Sequence, residues 1–219
     1  MTTFALLHGA GGTAWDWHLV AAALRRRGHE AVAVDLPSED DAAGWADYAE
    51  HVAAALPGTD DVAVVGHSLG GYPATLLAAR LPARLLVLVS AMVPTPGEPA
   101  DDWWSVTGHR MAPGVDFDDT VATFLHDVPH DLAAECLARE RGQSSTPMRE
   151  PWPLEAWPDV PTRFVLCTED RFFPPEFMRG MLAERLPGVP VDELEAAHAP
   201  YLSRPVELAA LLDRAARRS

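Results

Sequence analysis

Short runs that are apolar throughout alternate along this chain with longer stretches in which apolar residues recur at helical spacing. Phe4-Ala-Leu-Leu7 reads as a strand; it passes through His8-Gly9-Ala10-Gly11-Gly12 into a helix over 14–27 that stops at Gly28. Residues 31–34, 62–65, 85–89, 162–167 and 189–194 read as further strands. Helical spacing is clearest over 43–56, 70–81, 175–186 and 205–217. Strands that are apolar on both faces and separated by helices imply an α/β architecture: a mostly parallel sheet of about six strands, covered on both sides by right-handed crossovers.

The pattern changes between 91 and 161, where Pro94, Pro96, Pro99, Trp103, Trp104, Trp152, Pro153, Trp157 and Pro158 concentrate. No buried strand is visible there, and helical pieces are expected over 118–126 and 129–141. This reads as a small helical cap inserted into one domain spanning 1–219, a length ordinary for a single core.

The third strand ends in Gly66-His67-Ser68-Leu69-Gly70 and runs straight into a helix. A turn that tight leaves no room for side chains on either side of the serine, and Gly66 and Gly70 provide for that. Ser68 would then project at the edge of the sheet beside a helix N-terminus, where a nucleophile is useful. A serine hydroxyl needs a histidine to take its proton and a carboxylate to orient that histidine. Both are expected on loops after later strands, the acid first. Thr168-Glu169-Asp170 follows one strand and Ala196-Ala197-His198 follows the last, so His198 is the base, and either Glu169 or Asp170 could orient it. An oxyanion hole calls for two backbone N–H groups; Leu69 offers one, and Ala10, in the small-residue loop after the first strand, offers the other. That loop lacks the G-x-G-x-x-G spacing of a dinucleotide site.

Charge narrows the partners. The chain carries 17 Lys and Arg against 32 Asp and Glu, a formal charge of -15, so nucleic acid would be repelled. The acidity otherwise reads as a solubilising surface. Cys136 and Cys167 are far apart in sequence and read as inert thiols. The first apolar run is short and lacks a basic prefix, which predicts neither export nor a membrane span, hence a cytoplasmic protein. His126 and His130 have the spacing of helical metal ligands, but Pro129 lies between them and no third ligand is implied, so no metal is expected. His67 reads as a packing or hydrogen-bonding residue, and Trp15 and Trp17 as packing for the first helix.

His8-Gly-Ala with Trp15, Gly66-His-Ser-Leu-Gly-Gly71, Cys167-Thr-Glu-Asp-Arg171 followed by Pro175-Glu-Phe177, and His198 together resemble the plant methyl-ester hydrolases and hydroxynitrile lyases of the α/β-hydrolase superfamily and their bacterial relatives. The resemblance covers both halves of the core and is faint in the cap. It implies the α/β-hydrolase fold, makes Asp170 the triad acid, and places the oxyanion donors at Ala10 and Leu69. The lyases of this family carry a threonine after the first-loop histidine and a lysine after the catalytic one; here those positions are Gly9 and Ala199, which favours ester hydrolysis. Gly12 stands where some plant members have another histidine. The resemblance thus implies a serine esterase acting on small to medium esters through an acyl-enzyme, with no cofactor. A lyase-like use of the triad and a ligand-binding receptor on the same fold are the alternatives. Gly9, Trp103, Trp104, Phe124, Leu125 and Ala199 are the candidate substrate contacts; the cap aromatics, with Met111 and Phe117, could instead form the cap's own small core. The expected partner is a small ester, neither nucleic acid nor membrane, and a homodimer is compatible with the sequence.

Overall fold

The computed structural model describes residues 1–218; the sequence from Arg214 to Ser219 reads as the basic end of a helix, and its last residue, Ser219, lies outside the described residues. Six strands form one parallel sheet: β1 (Thr3–Leu7), β2 (Glu30–Ala33), β3 (Val62–His67), β4 (Leu85–Val89), β5 (Thr162–Cys167) and β6 (Val191–Leu194), in the order β2-β1-β3-β4-β5-β6. The register pairs Leu7 with Gly66, His67 with Val89 and Cys167 with Leu194, so the loops after β1, β3, β5 and β6 leave from the same edge. In open parallel sheets, ligands bind at that carboxyl edge.

Side chains alternate across each strand, and both faces are apolar. Phe4, Leu6, Val65 and Val87 pack with Val20 and Leu24 of α1 (His18–Arg26) and with Leu208 and Leu212 of α10 (Pro205–Arg218). Ala5, Leu7, Val64 and Leu86 face the other way, onto α2 (Trp45–Ala55), α3 (Gly71–Arg80) and α8 (Pro175–Arg185). Helix α1 is preceded by a single 3-10 turn, Ala14–Trp17. A short helix, α9 (Pro200–Ser203), follows β6. Among the described residues no helix is long and apolar enough to cross a membrane.

Between β4 and β5 the chain forms four short helices: α4 (Ala100–Val106), α5 (Thr120–Phe124), α6 (His130–Leu137) and α7 (Thr146–Arg149). Helices α5 and α6 occupy the expected pieces in shortened form. Helices α4 and α7 were not expected, because prolines interrupt the apolar spacing before one full period is legible. Helix α4 corrects one expectation directly. Trp103 is fully buried in the core, its indole N–H donating to Val93 O at 3.1 Å and its ring packed on Phe173, so it is not a substrate contact; the next residue, Trp104, faces the cavity described below.

A buried ion pair fastens this region to the core. Arg185 of α8 grips Glu98 through two bonds, Nη1 to Oε2 at 2.6 Å and Nη2 to Oε1 at 2.7 Å, and Nη1 also donates to Val93 O. Their side chains are only 6% and 7% exposed. Removing one partner strands the other charge, so Glu98→Ala should cost about 3 kcal/mol in urea unfolding, whereas the Glu98→Leu/Arg185→Met double variant should recover most of that loss. A single-variant loss below about 1 kcal/mol would contradict this role.

Candidate active site

Strand β3 delivers His67 to the sheet edge, and Ser68–Gly70 form one 3-10 turn before α3 begins. Ser68 has φ +52°, in the left-handed region that L-residues occupy at a cost of roughly 1–2 kcal/mol. Its neighbours explain how the turn tolerates this. A Cβ on Gly66 would lie 2.5 Å from Gly70 O and 2.6 Å from Ala74 Cβ, and one on Gly70 would lie 2.5 Å from His8 O. The glycines therefore let strand, helix and the loop after β1 meet at van der Waals distance.

That loop is fixed by His8. Leu36 N–H donates to its Nε2 at 3.0 Å, so Nδ1 carries the hydrogen and donates to Gly9 O at 2.8 Å. Burial lowers the His8 pKa to about 4, which keeps the ring neutral. Gly12 N–H closes a turn onto Gly9 O at 3.3 Å. A Cβ at Gly9 would fall 2.9 Å from Ser68 Cβ, so the space over the serine depends on a glycine there.

The loops after β5 and β6 bring Asp170 and His198 together: His198 Nδ1–H donates to Asp170 Oδ2 at 2.7 Å, and the carboxylate side chain is fully buried. Asp170 Oδ1 accepts from Phe172 N–H at 2.9 Å and Phe173 N–H at 2.8 Å. Glu169 is exposed and turned away, so of the two carboxylates Asp170 is the one on the imidazole. The histidine is held from its backbone as well. His67 Nε2–H donates to His198 O at 2.7 Å, and Ala197 N–H donates to Asp127 Oδ2 at 3.0 Å. His67 is buried, and burial with the nearby His198 keeps its pKa well below the usual histidine range, so it is a neutral hydrogen-bonding residue as expected. Phe124, Phe172 and Phe173 surround the His198 ring at centroid distances of 5.5, 5.2 and 5.2 Å, which dries it.

Ser68 and His198 open into one cavity of about 360 Å³. Of the residues expected to touch substrate, Gly9, Ala10, Leu69, Trp104, Phe124, Leu125 and Ala199 line it, and Trp103 does not. Phe117 also lines it, whereas Met111 packs against the core. Sequence reasoning missed Phe172, Tyr201 and Asp16 as lining residues. For Phe172 a signal existed, since it lies two residues after Asp170; nothing in the sequence sets Asp16 apart from any acid in a first helical turn. His126 is half-buried and His130 fully exposed, at the two ends of the segment that contains Pro129.

Residues 4–211 match the family model described as "Alpha/beta hydrolase family". The chain belongs to the alpha/beta hydrolase family. It is 27% identical to methylesterase 3 of Arabidopsis thaliana over 94% of this chain and 93% of that one, and 27% identical to polyneuridine aldehyde esterase of Rauvolfia serpentina over 94% and 92%. A pyrethroid hydrolase from Sphingobium faniae superposes with a TM-score of 0.80 at 24% identity, covering 99% of this chain and 97% of that one. At that identity the superposition speaks for the fold.

The cavity of this alpha/beta hydrolase also holds a buried carboxylate. Asp16 is 4% exposed, and burial raises its pKa from 3.8 to about 6, with Asp35 and Glu140 adding to the rise and the Thr13 N–H and hydroxyl opposing it. The folded protein therefore holds this proton more tightly than the unfolded chain, so the contribution to stability falls as pH rises from about 4 to about 6 and stays lower above. Asp16→Asn should raise stability by about 3 kcal/mol at pH 7 and leave it nearly unchanged at pH 4. Thermal melts at the two pH values check this; an equal effect at both would contradict the assignment.

Proposed function

We propose that this chain is a serine carboxylic-ester hydrolase acting on small to medium esters through an acyl-enzyme. The observation that carries the reading is the Asp170–His198 couple opening onto the same cavity as a serine held at positive φ. Kinship to chains named as esterases supports it from an independent side.

In this reading Ser68 Oγ attacks the ester carbonyl while its proton passes to His198 Nε2. Asp170 holds Nδ1–H and stabilises the imidazolium that forms. The carbonyl oxygen becomes an oxyanion facing the N–H groups of Ala10 and Leu69. His198 then protonates the departing alkoxide, leaving Ser68 acylated. A water molecule gives its proton to the same histidine and attacks the acyl carbon; collapse of that second intermediate returns the proton to Ser68 and releases the acid. The reaction needs no metal or organic cofactor. Two features weigh against a lyase. Gly9 leaves the space above Ser68 open, and the buried residue after His198 is Ala199 in a chain that contains no lysine at all, so no ammonium stands there to meet a leaving cyanide.

A panel of p-nitrophenyl esters of increasing acyl length, with methyl esters of aromatic acids, tests the reading. Ser68→Ala should lower kcat by about 10⁴-fold or more, and Asp170→Asn by about 10³- to 10⁴-fold with little change in KM. Turnover within tenfold of the unaltered protein in Ser68→Ala would overturn the mechanism; cyanide release from a cyanohydrin without ester turnover would overturn the reaction class.

A further inference from the structure

The cavity has two chemically different ends. Around His198 it is aromatic, lined by Phe124, Phe172, Phe117 and Trp104. Beyond Gly11 and Gly12 it is polar, and its deepest polar group is Asp16. Asp16 Oδ2 accepts the Thr13 N–H at 3.1 Å, which closes the turn that starts the 3-10 segment. The Thr13 hydroxyl also acts on the carboxylate as a hydrogen-bond donor, but no arginine or histidine of the described residues lies within ion-pair distance of it.

The basic groups nearby are committed elsewhere. Arg139 lies over the Trp15 ring at 4.7 Å and reaches Glu135; Arg141 is bound to Glu39 and to Leu36 O. What does surround Asp16 is acidic or neutral. Asp35 and Glu140 both act on it as like charges. Tyr201 and Cys136 line the same end, and in each of them burial, reinforced by the Asp16 charge, disfavours ionisation, the Cys136 thiol being pushed up to about 12. Residue 12 must be a glycine for this arrangement, since a Cβ there would come 2.5 Å from Asp16 Oδ2.

A buried carboxylate without a counter-ion costs stability unless something donates to it. We propose that the Asp16 end of the cavity recognises a hydrogen-bond-donating group on the substrate, a hydroxyl or a protonated amine. The proposal rests on the ester-hydrolase reading of the same cavity and names the substrate class within it: esters whose acyl or alcohol part ends in such a donor. A substrate carboxylate at this end is excluded by repulsion from Asp16, Asp35 and Glu140. The donor group supplies the carboxylate, which has no counter-ion, with a further hydrogen bond, and the aromatic end takes the apolar remainder of the ester.

The test uses the intact Ser68→Ala protein, titrated calorimetrically with straight-chain esters in matched sets ending in methyl, hydroxyl or ammonium. Chain length varies, with the terminal group on the acyl side in one series and on the alcohol side in the other. At the best length, the hydroxyl or the ammonium ester should bind about tenfold tighter than its methyl counterpart, as expected for a hydrogen bond to a buried charge. Preference for ammonium alone identifies a cationic substrate; preference for both identifies a neutral donor. Adding Asp16→Asn should reduce the preference to threefold or less. Methyl esters that bind as tightly as both others at every length, or a preference that survives Asp16→Asn, would overturn the proposal. The ratio in the Ser68→Ala protein reads it without any change at Asp16. Hydrolysis of the same esters by the unaltered protein reads the ester-hydrolase assignment separately: its absence would sink that assignment while the binding ratio still decides the role of Asp16.

Discussion

The structure around the cavity depends on one constraint, a serine held at positive φ between a strand and a helix. That conformation is unfavourable by itself and persists only where the surroundings over-determine it. Here they do so through contacts with no spare space: Gly66 against Gly70 O and Ala74, Gly70 against His8 O, and Met92 N–H bonded to Ser68 O at 3.0 Å. The serine turn and the loop after β1 are consequently one packed unit. Any shift of Ser68 also shifts the backbone of Gly9 and Ala10, the loop in which one proposed oxyanion donor lies.

The histidine is restrained by a different means. Its imidazole is tied to Asp170, its carbonyl to His67 and its loop to Asp127, while phenylalanine rings exclude water around it. Asp170 in turn accepts two backbone N–H groups besides the imidazole, so its carboxylate has fixed partners on both oxygens. His8 and His67 stay neutral through burial and act as struts. Against this rigid, paired arrangement Asp16 is a buried carboxylate of the cavity with no cationic partner among the described residues, at a cost in stability above its pKa.

The core was legible because its strands are buried on both faces. The bounds of β4 and β5 agree residue for residue with the apolar runs 85–89 and 162–167. Strand β6 begins at Val191, two residues later than read, because it is an edge strand whose exposed Val191 and Glu193 weaken the apolar signal. The serine turn and the two loops that carry Asp170 and His198 were expected from local motifs in a fixed order along the chain, while the choice of Asp170 over Glu169 came from the family resemblance. The segment between β4 and β5 was not legible, since helices of four to eight residues broken by prolines give no sustained period. Trp103 and Trp104 show the limit most sharply: adjacent indoles of equal hydrophobicity point to opposite destinations, core and cavity, and only the docking of α4 decides which. Asp16 was invisible for the same reason, because its burial is a tertiary property that no neighbouring residue announces.

The central claim is that Ser68 carries the acyl group. Mixing the protein with p-nitrophenyl acetate, quenching in acid within the first turnover and mapping its peptides by mass spectrometry tests this directly. The account predicts one acetyl group per chain on the peptide containing Ser68, formed together with a stoichiometric burst of p-nitrophenolate. Steady turnover with no acetyl on that peptide, or with the acetyl on another residue, would contradict it.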